Sequence, residues 1–152
     1  MDITPGCAAD IDQWMELVEL VKGSFPGLET AEALEEHRTT VLEFMKARSA
    51  VCAKDGGRIA GVLLFAREAN LLCFLAVAPA YRRRHIAQDL VTYMLERADP
   101  QKDVTVSTYR EGDPNGAAAR AFYKRLGFQE GPLAEAFGSP VQVFVLKRQA
   151  AS

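Results

Sequence analysis

With 152 residues, 49% of them hydrophobic and 25% charged, the chain has the composition of one soluble globular domain, residues 1–152, large enough to bury a core. A formal net charge of -2 excludes a protein that coats nucleic acid by overall charge. The start MDITPGCAAD lacks the basic and apolar segments of a signal peptide, and no apolar run approaches the roughly 20 residues that span a bilayer.

In chain order, Ile3 lies in a short strand ended by Pro5. Asp10 stands where a helix cap is expected, and Ile11, Trp14, Leu17, Val18 and Val21 recur at the spacing of one buried helical face. Gly23 and the segment SFPGLE end that helix. A second helix starts at Thr30, with Leu34, Val41, Leu42 and Met45 on its inner side. The period then shortens. AVCAK (Ala50–Lys54), the turn DGG and RIAGVLLFAR form a hairpin signature, and EAN turns the chain into LLCFLAV. A helix is expected from about Arg84 to Arg97, stopped by Asp99-Pro100, with DVTVSTY as the next strand. Another helix, from about Gly116 to Arg125, ends at Gly127, a favoured C-terminal cap. Phe128 opens a strand, and VQVFVLK, Val141–Lys147, is the last. Helices interleaved with a mixed sheet make an α/β or α+β domain. Cys7, Cys52 and Cys73 fit neither a disulfide framework nor a zinc site; they read as reduced thiols of a cytoplasmic protein, Cys52 and Cys73 as core residues.

The stretch VAPAYRRRHIAQDL, Val77–Leu90, gathers Arg82, Arg83, Arg84 and His85 where an apolar strand meets a helix. N–H groups in a helix's first turn have no partners within it, and the macrodipole adds partial positive charge. A phosphate or pyrophosphate docks there readily, and arginines add bidentate donors. A solvated basic helix start accounts for the same residues without a ligand. A second segment, AAARAFYKRLGFQE, places Tyr123 near the end of a short helix, four residues before Gly127-Phe128.

Together these segments resemble the GNAT superfamily of N-acetyltransferases. LAVAPAYRRRHIA, Leu75–Ala87, is similar to that family's strand, Pro-x-Tyr and Arg-x-x-Gly-x-Gly/Ala motif. Ala119, Phe122, Tyr123, Gly127 and Phe128 are similar to its Ala-x-x-Phe/Leu-Tyr-x-x-x-Gly-Phe helix. The resemblance implies a mixed, mostly antiparallel central sheet flanked by helices, its central strands splayed into a cleft for acetyl-CoA. It implies that the backbone of Leu75, Ala76 and Val77 pairs with the pantetheine arm. The amides of Arg83, Arg84, His85, Ile86, Ala87 and Gln88 would then hold the pyrophosphate, with Arg82 just before them. Asn115 fits either a CoA contact or a cap of the following helix. No metal is implied. His85 stands where the family usually has glycine, so the loop either turns outward and still binds CoA or binds it weakly.

The reaction implied is direct attack of an amine on the thioester. Tyr123 aligns with the tyrosine that often protonates the leaving thiolate, although an aromatic core residue with a polar tip has the same signature. A lysine-like amine, pKa about 10.4, is mostly charged at pH 7, so a base is useful. LLCFLAV lacks the carboxylate that many relatives carry on this strand; Glu68, Glu111 and Asp113 remain at strand ends, Glu111 being preferred. The resemblance assigns acceptor selection to Phe25, Leu28 and Glu29, with Phe137 and Tyr109 across the cleft, while Phe25 and Leu28 equally suit packing over the core. The expectation is an acetyl-CoA-dependent N-acetyltransferase for a small-molecule or peptide amine, with no nucleic-acid or membrane partner. It would be a monomer, or a homodimer paired through VQVFVLK. The alternative is a non-catalytic CoA-binding or interaction domain of the same fold. A nucleic-acid contact by the three arginines would need more basic residues nearby, where the helix instead continues with Gln88, Asp89 and Glu96.

Overall fold

The computed structural model describes residues 1–25, 27–136 and 138–148. Among these, seven strands form one sheet in the order β1-β2-β3-β4-β5-β7-β6. The strands are β1 (Asp2–Pro5), β2 (Ala50–Asp55), β3 (Arg58–Ala66), β4 (Leu71–Val77), β5 (Val104–Tyr109), β6 (Gln129–Ala136) and β7 (Ser139–Leu146). The helices are α1 (Ile11–Val21), α2 (Ala31–Lys46), α3 (Ile86–Arg97) and α4 (Ala117–Arg125). All pairings are antiparallel except that of β4 with β5. The mixed, mostly antiparallel sheet expected from the sequence is the sheet observed.

Two cores cover its faces. Ile11, Trp14, Leu17, Val18 and Val21 of α1, with Val41 and Met45 of α2, pack on one side against Cys52, Val62, Leu64, Phe74 and Ala76. Ile86, Leu90, Val91 and Met94 of α3, with Tyr123 of α4, pack on the other against Leu63, Phe65, Leu72, Val106 and Phe144. Full burial of each large aliphatic or aromatic side chain contributes about 1.5–3 kcal/mol. Gly61 sets how closely α3 approaches β3: a Cβ there would lie 2.9 Å from Ile86 Cγ2 and 3.1 Å from Leu90 Cδ1.

One extra residue shifts the phase of β4. Leu72 pairs with Phe65 and Phe74 with Leu64, leaving Cys73 as a bulge. Residues two apart on a strand normally share a face, yet Leu72 joins one core and Phe74 the other. Cys73 is therefore exposed rather than a core residue, its thiol 3.6 Å from the Leu71 carbonyl oxygen, while Cys52 is buried as expected.

Before β4, Asn70 is fully buried and left-handed, with φ 51°. Its amide nitrogen donates to the carbonyls of Asp99 (2.9 Å) and Lys102 (3.1 Å), and its Oδ1 accepts from the Asp99 N–H (3.0 Å). This clasp fastens the β3–β4 turn to the α3–β5 connection, where β4 and β5 first meet.

Other sequence expectations change in the structure. Asp10 precedes α1, but its carboxylate does not cap that helix; it pairs with Lys54 Nζ at 2.8 Å and accepts from the Cys7 N–H at 3.0 Å. The third helix starts at Ile86 rather than Arg84, because His85 is left-handed. Strand β7 lies between β5 and β6, so both its edges are taken and VQVFVLK offers no free edge for dimer pairing.

Candidate active site at a split in the sheet

β4 and β5 are joined at only two positions, Leu71 with Thr105 and Leu72 with Val106. β4 runs on to Val77 and β5 to Tyr109, so the sheet splits beyond Leu72. On its other side β4 stays paired: Leu75 with Leu63, Ala76 with Val62 and Val77 with Gly61. An antiparallel strand turns alternate N–H and C=O groups away from its partner. Leu75, Ala76 and Val77 therefore form an open main-chain edge inside the sheet.

At the end of that edge the chain turns through Pro79–Tyr81 and enters the loop Arg82–His85. Arg83 (φ 65°) and His85 (φ 61°) are both left-handed. His85 thus takes the conformation that glycine adopts most easily, which an L side chain enters at a cost of about 1–2 kcal/mol. Left-handed residues alternating with others make successive N–H groups converge in a concave nest suited to an anion. Among the described residues, no main-chain acceptor meets the amides of Arg83, Arg84, His85, Ile86, Ala87 or Gln88. Arg82, Arg83, Arg84 and His85 are exposed, whereas the Ile86 side chain is buried, so Ile86 can offer only its N–H. The helix dipole and three guanidinium groups add positive charge at the same place.

Tyr123 is buried on α4, its ring 5.4 Å from Phe128 and 6.2 Å from Phe144. Desolvation pushes its hydroxyl well above the usual phenol range, so it stays protonated at neutral pH. One turn earlier, Arg120 is buried beneath the sheet end. It donates to the Tyr109 carbonyl (3.0 Å) and Gln142 Oε1 (2.8 Å), pairs with Glu130, and lies over the Phe144 ring. These bonds fix α4, and with it Tyr123, to β5, β6 and β7. Nothing local in the sequence marks Arg120, because its partners are scattered along the chain.

The remaining candidates divide. Tyr109 ends β5, and its hydroxyl is pushed up by partial burial and then by the negative charges of Asp113 and Glu29. Both carboxylates therefore lie near the Tyr109 hydroxyl, at the open end of the split. Phe25 packs on Phe74 with ring centroids 4.5 Å apart, and the His37 ring of α2 lies 4.8 Å from the same phenylalanine. Leu28 is buried in the α1–α2 core, which leaves it a packing residue. Phe137 lies outside the described residues. Glu111 is exposed and borders a shallow groove with Ala117, Arg120, Ala121 and Lys124, while the Tyr123 ring turns into the core. Glu68 sits in the turn before Asn70, at the closed end of the split, far along β4 from the loop. Asn115 is exposed; α4 is preceded by Gly116 with no side-chain cap, so Asn115 does not cap it. No group of three or more metal-ligating side chains occurs among the described residues, and no described helix is long and apolar enough to cross a membrane.

The chain is similar to known proteins in both sequence and fold. No curated protein matches it significantly. An acetyltransferase of the GNAT family from Bacillus cereus superposes with a TM-score of 0.75 at 20% identity, over 98% of this chain and 97% of that one. The PaiA N-acetyltransferase of Thermoplasma acidophilum, solved in complex with coenzyme A, superposes at 0.68 with 16% identity over 96% and 98%. The ribosomal-protein-S18-alanine N-acetyltransferase of Escherichia coli superposes at 0.70 with 16% identity over 99% and 96%. Residues 14–128, from the first turn of α1 to the end of the Tyr123 segment, match the acetyltransferase (GNAT) family, and the chain belongs to that family.

Proposed function

We propose that the protein transfers an acetyl group from acetyl-CoA to an amine, with CoA lying in the split between β4 and β5. The observation that carries this reading is the row of unpartnered amides from Arg83 to Gln88 at the end of the open β4 edge. A diphosphate satisfies those donors, and the edge of Leu75, Ala76 and Val77 accepts an extended, amide-bearing arm as an added strand. Asn115 is close enough in sequence to the α4 start to add a contact there.

The chemistry is attack of a neutral amine on the thioester carbonyl: the N–C bond forms, the C–S bond breaks, and the amine proton passes to solvent. Tyr123 serves as hydrogen-bond donor to the departing sulfur. From ordinary pKa values, full proton transfer from a phenol to a thiolate is uphill by about 2 kcal/mol. Burial of Tyr123 widens that gap. Its role is therefore to stabilise developing negative charge rather than to give up its proton. Glu29 and Asp113 around Tyr109 favour an acceptor that arrives as a cation, which supports an amine. Glu111, exposed in the loop between β5 and α4, is the candidate base in this reading.

The test is calorimetric titration with CoA, followed by a CoA-release assay with acetyl-CoA and a panel of amines. Tyr123→Phe should bind CoA with unchanged affinity and lose about 100-fold in kcat. Wild-type protein that binds CoA but releases none with any amine would favour the non-catalytic reading.

A further inference from the structure

We propose that Asp55 and Tyr81 form a latch that holds the loop Arg82–His85 in its anion-binding shape. This inference rests on the reading that the loop takes the CoA diphosphate. The loop needs external support, because two of its four residues, Arg83 and His85, are left-handed without being glycine. Such conformations persist only where the surroundings over-determine them.

The support at the downstream end is clear: Ile86 is buried in the notch over Gly61, and the Asp89 N–H bonds to the His85 carbonyl at 3.0 Å. Upstream, the main chain contributes less. Tyr81 N–H bonds to Ala78 at 2.9 Å, and the last bond before the loop, from Arg82 N–H to Pro79, is stretched to 3.4 Å.

The Tyr81 side chain supplies what the main chain lacks. Its hydroxyl donates to Asp55 Oδ2 at 3.0 Å, and its ring lies under the Arg84 guanidinium at 5.4 Å. One aromatic residue thus ties the body of the protein to the middle of the loop. Asp55 is delivered by a hairpin turn of two glycines, Gly56 (φ 57°) and Gly57 (φ 91°), the tightest link that matches strand twist. Asp55 needs no contact with the ligand. It is a positioning residue that acts through Tyr81.

The consequence is a change in affinity without a change in chemistry. A ligand's apparent Kd rises in inverse proportion to the fraction of molecules whose loop is already shaped. Loss of the latch is expected to weaken CoA binding about fivefold, equivalent to about 1 kcal/mol.

The experiment is calorimetric titration of CoA into the full chain carrying Asp55→Ala, Tyr81→Phe or both, with Asp55→Asn as the conservative variant. Tyr81→Phe keeps the ring beneath Arg84 and removes only the hydroxyl. Each single substitution should raise Kd about fivefold, and the double no further, because one bond is lost in all three. Asp55→Asn, which retains an acceptor oxygen, should recover part of the loss. KM for acetyl-CoA should rise while kcat at saturation stays within twofold, a split that a general loss of stability would not produce. Wild-type affinity in both single variants, or losses that multiply in the double, would overturn the latch. Failure of the wild type to bind CoA would overturn the reading of the loop itself.

Discussion

Asn70 is the residue whose replacement should disturb this fold most for the fewest atoms removed. Its side chain makes three hydrogen bonds of 2.9–3.1 Å in a fully buried position. Truncation to alanine strands the Lys102 carbonyl and the Asp99 N–H, each costing about 1–3 kcal/mol when left unsatisfied, while the Asp99 carbonyl keeps its bond from the Lys102 N–H at 3.2 Å. Water entering the vacated space offsets part of this, giving a loss of about 3 kcal/mol. The left-handed backbone, φ 51°, adds about 1 kcal/mol for alanine but not for glycine. Glycine loses about as much through its unfolded-state entropy, so Asn70→Ala and Asn70→Gly should each lose about 4 kcal/mol, against a total of about 5–15 kcal/mol for a typical domain. Asn70→Asp is the more searching variant. It keeps the acceptor for Asp99 N–H but turns a carboxylate oxygen toward the carbonyls of Asp99 and Lys102. Burial and these carbonyls would raise the new carboxyl's folded pKa above its unfolded value. Its penalty is then greatest at neutral pH and shrinks as pH falls through that raised pKa. Urea denaturation at pH 7 and pH 5, read by circular dichroism, measures all three. A loss below 1 kcal/mol for Asn70→Ala, or an Asn70→Asp deficit that grows on acidification, would refute the reasoning.

Two further outcomes follow from other parts of the structure. His85 makes no side-chain cap and is exposed, so His85→Gly relieves left-handed strain without removing a bond; after the unfolded-state entropy of glycine is subtracted, it should gain about 0.5–1 kcal/mol, whereas His85→Val should lose stability, as thermal melts of the three proteins would show. Burial raises the Asp10 carboxyl, but the hydrogen bonds from Lys54 and Cys7 outweigh it and hold the group below its ordinary 3.8. Lys54 is correspondingly raised above 10.5, chiefly by its bond to Asp10. A depressed carboxylate stabilises above its unfolded pKa, and a raised ammonium stabilises below its own. The pair should therefore contribute, at about 2 kcal/mol, across neutral pH, losing that contribution below pH 4 and again at strongly alkaline pH. The stability gap between wild type and Asp10→Asn, followed by urea denaturation from pH 7 to 3, should close on acidification.

What the sequence discloses follows from how local each signal is. The α1 face of Ile11, Trp14, Leu17, Val18 and Val21 is written at helical spacing within eleven residues, and all five are buried. The loop Arg82–Gln88 is contiguous, so its chemistry is legible before its shape is. β6 is harder: an edge strand, half-exposed and interrupted by Gly131 and Pro132, needs no apolar alternation. The Asp10–Lys54 pair and the Arg120 cluster join residues far apart in the chain and leave no local trace. Leu28 suits an acceptor pocket by side-chain type, but the fold buries it in the core. Cys73 reads as buried because it lies within the apolar run LLCFLAV, and the bulge that exposes it leaves no mark in that run.

That bulge makes Cys73 a spare residue in β4. Without it, Leu72 and Phe74 would be neighbours on a regular strand and would point to opposite faces, which is where the two cores already hold them. The pairs Leu72 with Phe65 and Phe74 with Leu64 would then follow one another in an unbroken register. Lineages of this protein should therefore tolerate both substitution and loss of the residue at the bulge, while the residues on either side of it keep their apolar character.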